Sequence, residues 1–591
     1  MSLQLILGGS GSGKTRRLYD KIIQESMERP KQLFFMIVPE QFTMQTQKDI
    51  VVRHPNHGTM NIDIVSFQRL AYRVFEELAV ENLRVLDDMG KSMVLRKVAG
   101  NKRKELILFQ GHLNQAGFVN QLKAMLSEFY QYGISPQILR EMAELAGTPL
   151  FRQKLLDFAV VFEGFQEYIA GHYITTEEVL DVLCRVLPQS EIVKNSVIAL
   201  DGYTGFTPVQ YRLLELCLIH ARQVIVTVTA DGEASVYQGS GMHSLFYMSR
   251  QMVRRCIELA EHNHVSRLPD IWLGNEAGSG KGDGKKALPR FVDSPELQWL
   301  EKSLFRYRRG CYEEEMKGGL ELFSGENPSG EVTHAVKRIQ ALIREKGLRY
   351  RDMAVVTGDL AGYGREIAHQ FEQNQIPFFM DDKKSVLDNP MVELIRGALE
   401  AVRRDLSYES VFRYLRTGLV TADQKMTDRM ENYVIAMGIR GARRWSQQWD
   451  RTYREAADIN LTELNEFRDQ VMAPLLRMRE AFGIKPVTVA GMVQAVIGLL
   501  EECCVEEKLG AYQEYFLAAG EYRLAKEYGQ VYGLVTELLQ RLSELLGEEQ
   551  ISRKEFIEIL DAGFGEISVG VIPAAVDRVV VGDITRTRLA H

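Results

Sequence analysis

The stretch Leu3-Gln4-Leu5-Ile6-Leu7-Gly8-Gly9-Ser10-Gly11-Ser12-Gly13-Lys14-Thr15 decides how the rest of the chain is read. An apolar strand pattern runs straight into a glycine-rich loop that fits G-x-x-x-x-G-K-[ST] from Gly8 to Thr15 without a mismatch. Each residue type has a reason. Glycines reach φ > 0 and let backbone N–H groups wrap phosphate oxygens. The helix that follows offers its positive N-terminus to the anion. Lys14 suits the β- and γ-phosphates, and the Thr15 hydroxyl suits Mg2+. Gly8, Gly9, Ser10, Gly11, Ser12, Gly13, Lys14 and Thr15 are therefore the candidate nucleotide-binding residues, with ATP and Mg2+ as the expected ligands.

Outward from the loop, a helix is predicted from about Thr15, with Leu18 and Ile22, and Tyr19 and Ile23, as i,i+4 pairs ending at Pro30. Leu33 to Val38 reads as a second apolar strand closed by Pro39, which makes a βαβ unit with a parallel sheet. A third strand is expected near Ile62 to Val65. From about Asp87 to Pro188 the pattern turns helical. Strand signals return at Val197 to Leu200 and Val224 to Val228, so the first sheet resumes after a helical insertion. A second α/β region begins near Leu320, with strands at Met353 to Thr357 and Pro377 to Met380. It is followed by helices to about Gly547 and by strands at Ile567 to Val571 and Val579 to Val581. The expected organisation is two α/β cores with parallel sheets, each carrying a helical insertion. Core one is 1–85 with 190–272, and its insertion 86–189. A linker region, 273–319, holds the flexible composition of Gly274 to Lys286. Core two is 320–405 with 556–591, and its insertion 406–555.

The strand at Val197 runs into Asp201, a second Mg2+ candidate, although Asp-Gly is also a turn signal. The next residue is Gly202, where a water-activating glutamate would be expected, so ATP hydrolysis by this chain is expected to be weak or absent.

Composition narrows the classes. At 591 residues the chain has room for about four domains. With 45% hydrophobic and 26% charged residues it is not a disordered protein. The net charge of −7 excludes a global polycation, so a nucleic-acid site must be a local groove. No apolar run reaches the ~18 residues that span a bilayer, and the N-terminus lacks the basic region of a signal peptide. Six cysteines without C-x-x-C suggest a reducing, cytoplasmic setting and no metal knuckle. Glu315-Met316-Lys317 and Glu506-Glu507-Lys508 match a nuclease E-x-K only as strings, and are read, like His262-Asn263-His264, as solvated surface. Gly438 to Trp449, with Arg440, Arg443, Arg444, Trp445 and Trp449, has two readings, a basic-aromatic DNA surface and, preferred, a helix-capping loop with packed tryptophans. Arg586 and Arg588 are candidates to face a phosphate from the second core.

Seven segments together resemble the AddB family of bacterial helicase–nuclease subunits. They are the loop at 8–15, Val38-Pro39-Glu40-Gln41-Phe42-Thr43, Ser66-Phe67-Gln68-Arg69-Leu70-Ala71-Tyr72, and the stretch from Asp201 to Pro208. Tyr350 to Val355, Gly438 to Gly441 and Ile572 to Asp583 complete the set, in the family's order. The resemblance implies a UvrD-like superfamily 1 helicase architecture with two RecA-like P-loop cores. It implies a heterodimer with an AddA-type motor and nuclease subunit, and single-stranded DNA and duplex ends as partners, with no membrane. The complex would resect double-strand breaks for homologous recombination, and this subunit would help recognise a hotspot sequence. Gln41, Thr43, Phe67, Arg69 and Tyr72, joined by Phe206, match the segments that border the single-stranded DNA track. Phe and Tyr can stack bases, Arg can meet phosphate, and Gln and Thr can hydrogen-bond. Three departures stand out: no room for a glutamine motif before the loop, Asp-Gly in place of Asp-Glu, and a chain that covers only the front half. The family's C-terminal half would carry the nuclease domain and the cysteines of an iron–sulfur cluster. Two other readings stay open: a stand-alone P-loop phosphotransferase and a structural scaffold for a motor subunit.

Overall fold

The computed structural model describes residues 1–80, 84–113, 117–170, 172–230, 236–239, 241–273, 289–306, 310–316, 318–380, 384–452, 460–569, 577–585 and 587. The linker composition at 274–286, Lys317, the first residues of the segment from 572 to 583, Arg586 and Arg588 lie outside the described residues.

The chain opens with β1 (Ser2–Gly8), α1 (Lys14–Glu28), β2 (Leu33–Ile37), α2 (Thr43–Arg53), β3 (Ile62–Val65) and α3 (Phe67–Glu77). Next come β4 (Val85–Leu86), α4 (Asp88–Asn101) and, beyond three more helices, β5 (Ile174–Thr175), which pairs with β4. Then β6 (Ser196–Leu200), β7 (Gln223–Thr229), β8 (Ser266–Arg267) and β9 (Ile271–Leu273) complete the first sheet. Its order is β3-β2-β6-β7-β1-β8, with β9 also on β1, and every pairing is parallel. The strands alternate between two cores. Leu3, Leu5, Leu7, Phe35, Ile37, Ile198 and Leu200 pack on one side, while Ile6, Phe34, Met36, Val197 and Ala199 pack on the other. A parallel strand covered on both faces needs this unbroken apolar run.

The second sheet joins β10 (Ala354–Thr357), β11 (Phe378–Met380) and β14 (Val579–Asp583) in the order β10-β14-β11, again parallel. The α/β class with parallel sheets is thus as expected. The strand expected at Ile567 to Val571 goes elsewhere. Ser568–Val569 is β13, and it pairs antiparallel with β12 (Lys384–Ser385), apart from the sheet. A short apolar run identifies a strand but not its partner. The helices Pro390–Arg403 and Arg553–Glu566, expected within core two, belong by packing to the helical body. One apolar cluster runs from Val386 to Val569 and contains both. Gly397 makes this possible, because a Cβ there would lie 2.9 Å from the backbone nitrogen of Tyr414.

α4 links the two helical regions and is buried from Gly90 to Ala99, cations included. Lys91 pairs with Glu177 at 2.7 Å, within its own insertion. Arg96 pairs with Glu558, and Lys97 pairs with Glu549 at 3.1 Å and Glu555 at 3.3 Å, all from the second helical body. Ser92 and Lys123 both reach Glu566. Buried cations persist only where such partners satisfy them. Among the described residues no helix is long and apolar enough to cross a membrane.

Candidate functional site

The loop between β1 and α1 is shaped by its glycines. Gly11 (φ +74°) and Gly13 (φ +88°) are left-handed, which costs other L-residues about 1–2 kcal/mol each. A Cβ at Gly8 would stand 2.5 Å from the carbonyl oxygen of Leu273 on β9, so β1 can lie against that strand only without a side chain. α1 starts at Lys14 with no side-chain cap and no acidic residue in its first turn. Its first N–H groups therefore keep their attraction for an anion. Lys14 Nζ donates to the carbonyl of Gly9 at 2.8 Å, folding back over the loop. Ser12 Oγ is buried without a hydrogen-bond partner. An uncapped helix start, a lysine held over the loop and an unsatisfied buried hydroxyl together fit a phosphate group.

Asp201 follows β6 and is 1% exposed. Thr15 Oγ1 donates to it, 3.1 Å from both carboxylate oxygens, and Thr227 Oγ1 donates to Oδ1 at 2.5 Å. The register explains the meeting: β1 and β6 both flank β7, so the loop after β1 and the end of β6 stand side by side at the same edge. A hydroxyl beside a carboxylate is a donor set that suits Mg2+, which takes few protein ligands and completes its shell with phosphate oxygens and water. Among the described residues no cluster of three or more metal-ligating acids, histidines or cysteines occurs, and a phosphate-linked Mg2+ needs none.

Two partners of this site are not among the residues expected from sequence. Thr227 is one, the polar residue inside the apolar strand Val224 to Val228, and that break in the pattern is its signal. The other is the turn at Arg290 and Phe291, which lies on the loop. A Cβ on Gly11 would come within 2.8 Å of Arg290 Cβ and 3.2 Å of Phe291. No local pattern announces that contact.

The second group of candidates lies after β2 and β3. Ser66 caps α3 by accepting from the backbone N–H of Arg69 at 3.3 Å. The cap fixes the helix start so that Arg69 and Tyr72, one turn apart, both face outward; Tyr72 is 47% exposed. Arg69 pairs with Glu40 at 3.0 Å, an exposed bridge of small energetic weight. Gln41 is exposed in the turn Glu40–Phe42. Thr43 is buried, and its hydroxyl donates to the Glu40 carbonyl at 2.9 Å. Phe67 is buried too, with its ring 5.4 Å from Tyr203 and 6.1 Å from Phe206. Phe206 is half-buried and also meets Tyr211 edge-on at 5.5 Å. Burial pushes the Tyr203 phenol well above its ordinary range. Gln41, Arg69 and Tyr72 thus offer a hydrogen-bonding group, a cation and a ring to solvent, while Phe67, Tyr203 and Phe206 pack into an aromatic cluster.

Of the remaining strings, Glu506-Glu507-Lys508 opens the helix Val505–Ala518, not a strand. Its lysine is not free in solvent as expected, because Nζ donates to the carbonyls of Leu419 at 2.6 Å and Val420 at 3.1 Å. His262 and His264 are exposed.

The parallel sheets, with the loop and the carboxylate meeting at one strand edge, define an α/β protein of helicase-like architecture. The comparison with known families is more specific. The family model described as ADDB, N-terminal matches residues 5–301, and the chain belongs to that family. Over its whole length the chain is 41% identical to the B subunit of the ATP-dependent helicase/deoxyribonuclease of Lachnoclostridium phytofermentans, covering 51% of that protein. It is 32% identical to the proteins of the same name from Clostridium novyi and Acetivibrio thermocellus, covering 50% and 51% of them. The chain thus spans about half the length of the curated relatives it matches.

Proposed function

We propose that this chain is a nucleotide-binding, DNA-binding, helicase-like part of an ATP-dependent helicase/deoxyribonuclease, acting as its B subunit. Its partner is an AddA-type motor and nuclease subunit. The complex resects double-strand breaks for homologous recombination, and this subunit helps to recognise a hotspot sequence in the passing strand. The observation that carries the nucleotide half is the meeting of Thr15 and Asp201 above the loop. Lys14 and the N–H groups at the start of α1 would hold the phosphates of ATP, and Thr15 with Asp201 would hold Mg2+. Bound Mg2+ would neutralise phosphate charge. Gly202 follows Asp201, so no acid stands beside it in sequence to orient a water, and the reading is of a binding module rather than a motor. The DNA half rests on the exposed Gln41, Arg69 and Tyr72, and the name of the relatives supports the partnership.

Equilibrium binding of MgATP to the whole chain, followed with a fluorescent analogue, tests the reading. Lys14→Ala should weaken binding at least tenfold, and no phosphate should be released by the chain alone. Equal affinity in the two proteins would overturn the nucleotide assignment, and steady turnover would overturn the inactive motor.

A further inference from the structure

The turn at Gly438–Ser446 splits its residues by face. Trp445 and Trp449 are buried. The Trp445 indole N–H donates to the Leu406 carbonyl at 3.1 Å, and that of Trp449 donates to the Arg444 carbonyl at 3.2 Å. Trp449 is sandwiched further, stacked on Tyr433 at 4.9 Å with the Arg468 guanidinium 4.9 Å from its ring. The expectation of packed tryptophans is met. Their packing holds Arg440, Arg443 and Arg444 outward, all exposed, on a short and anchored stretch of backbone.

The nearby acids are largely committed. Glu400 pairs with both Arg403 and Arg404, and Asp405 pairs with Arg479 at 2.9 Å. Glu409 stands near Arg440 and Arg404 and makes no ion pair of its own among the described residues. Arg440, Arg443 and Arg444 make no ion pair among the described residues, and Arg444 donates only to the Gly438 carbonyl at 2.8 Å. Three guanidinium groups are thus displayed outside any ion pair among the described residues, with Glu409 acting on Arg440 alone of the three, on a chain that is acidic overall.

We infer that this arginine turn is a second nucleic-acid contact, one that grips the phosphate backbone of duplex DNA. It rests on the DNA-binding reading above. Guanidinium groups meet phosphate oxygens in a bidentate fork, and a fixed turn lowers the ordering cost. Among the described residues the face has no exposed aromatic ring, since both tryptophans are buried, so it offers cations without a stacking platform there. Single-stranded binding uses both, whereas backbone contact with a duplex needs only the first. The exposed ring and cation of Tyr72 and Arg69 make the opposite combination.

The test measures affinity of the whole chain for a blunt hairpin duplex and for an oligo(dT) strand across a KCl series. Replacing Arg440, Arg443 and Arg444 together by Gln should lower the log–log salt slope for duplex by about 2–3, at about 0.9 per phosphate contact. The oligo(dT) slope should not change, and Arg69→Gln should give the reverse pattern. Arg443→Gln alone, at an exposed residue without an ion pair, keeps the fold and should lower the duplex slope by about 0.9. An unchanged duplex slope in a wild type that binds duplex overturns the inference and leaves the single-strand reading standing. So does a loss confined to binding of polyglutamate, which would mark an acidic protein as the occupant. A wild type that binds neither DNA form overturns the function and the inference together.

Discussion

Thr15 and Asp201 are 186 residues apart in the chain, yet the threonine hydroxyl lies 3.1 Å from both oxygens of the carboxylate. The whole first helical insertion intervenes. The pair survives that separation because β6 pairs with β2 and β7 in fixed parallel register, which returns the chain to the loop at one strand edge. The insertion can vary without moving the site so long as the sheet closes.

Asp201 accepts from Thr227 inside the protein, so Asp201→Ala should strand a buried hydroxyl. The expected loss is about 1–3 kcal/mol in urea unfolding, with an unchanged slope. Asp201→Asn keeps an acceptor and should lose less. A loss in the alanine variant no larger than in the asparagine one would show that Thr227 has another acceptor.

Gly11 and Gly13 share left-handed backbone but differ in surroundings. A Cβ at Gly13 meets nothing within 4 Å, whereas one at Gly11 meets Arg290. Both alanine variants should lose roughly 1–2 kcal/mol from the backbone alone. Gly11→Ala should lose more, because the 290–291 turn must also shift. Thermal melts compare the two directly, and equal Tm values would remove the contact with Arg290 from the account.

Lys97→Met keeps the apolar stem but deletes the charge that joins α4 to Glu549 and Glu555. Those glutamates are about a third exposed, so the loss should fall below that for a fully buried pair, at about 1–2 kcal/mol. Amide exchange should quicken both in α4 and in Arg553–Glu566. Faster exchange in α4 alone would mean that the two regions are held together by other contacts.

The thiols should divide by burial. Cys311 and Cys504 are exposed and should react with a thiol reagent in the native protein, while Cys184, Cys217, Cys256 and Cys503 should not. Burial pushes Cys184 up to about 11 and Cys217 and Cys256 up to about 12. Unfolded thiols ionise near ~8.5, so above that pH the native state holds more protons than the unfolded one. Stability from these thiols is therefore fully present below about pH 8.5 and declines as pH rises toward 12. Urea midpoints that stay flat from pH 8 to 10 would contradict this.

What was legible in the sequence follows the range of the interactions. The glycine-rich loop between β1 and α1, the strands at Ile62 and Val197 and the aspartate that follows β6 are local patterns, and the elements stand where expected. Thr43 and Phe67 look identical, as residue types, to groups that meet a ligand. Only the fold reveals that one hydroxyl turns to Glu40 and that one ring packs on Tyr203. The pairing of Ser568–Val569 with Lys384–Ser385 was not legible, because strand propensity carries no address. Nor was the contact of Arg290 with Gly11, which depends on how a distant turn comes to rest.

The charged core of α4 bears on how this protein can be recombined with its relatives. A graft that replaced only the first helical insertion would set the donor's cations against glutamates chosen by a different history. A graft of only the second would set Arg96 and Lys97 against whatever the donor carries where this chain has Glu549, Glu555 and Glu558. Each half encodes the counter-charges of the other, so the inheritable module is the pair, although the chain carries it as two separate stretches.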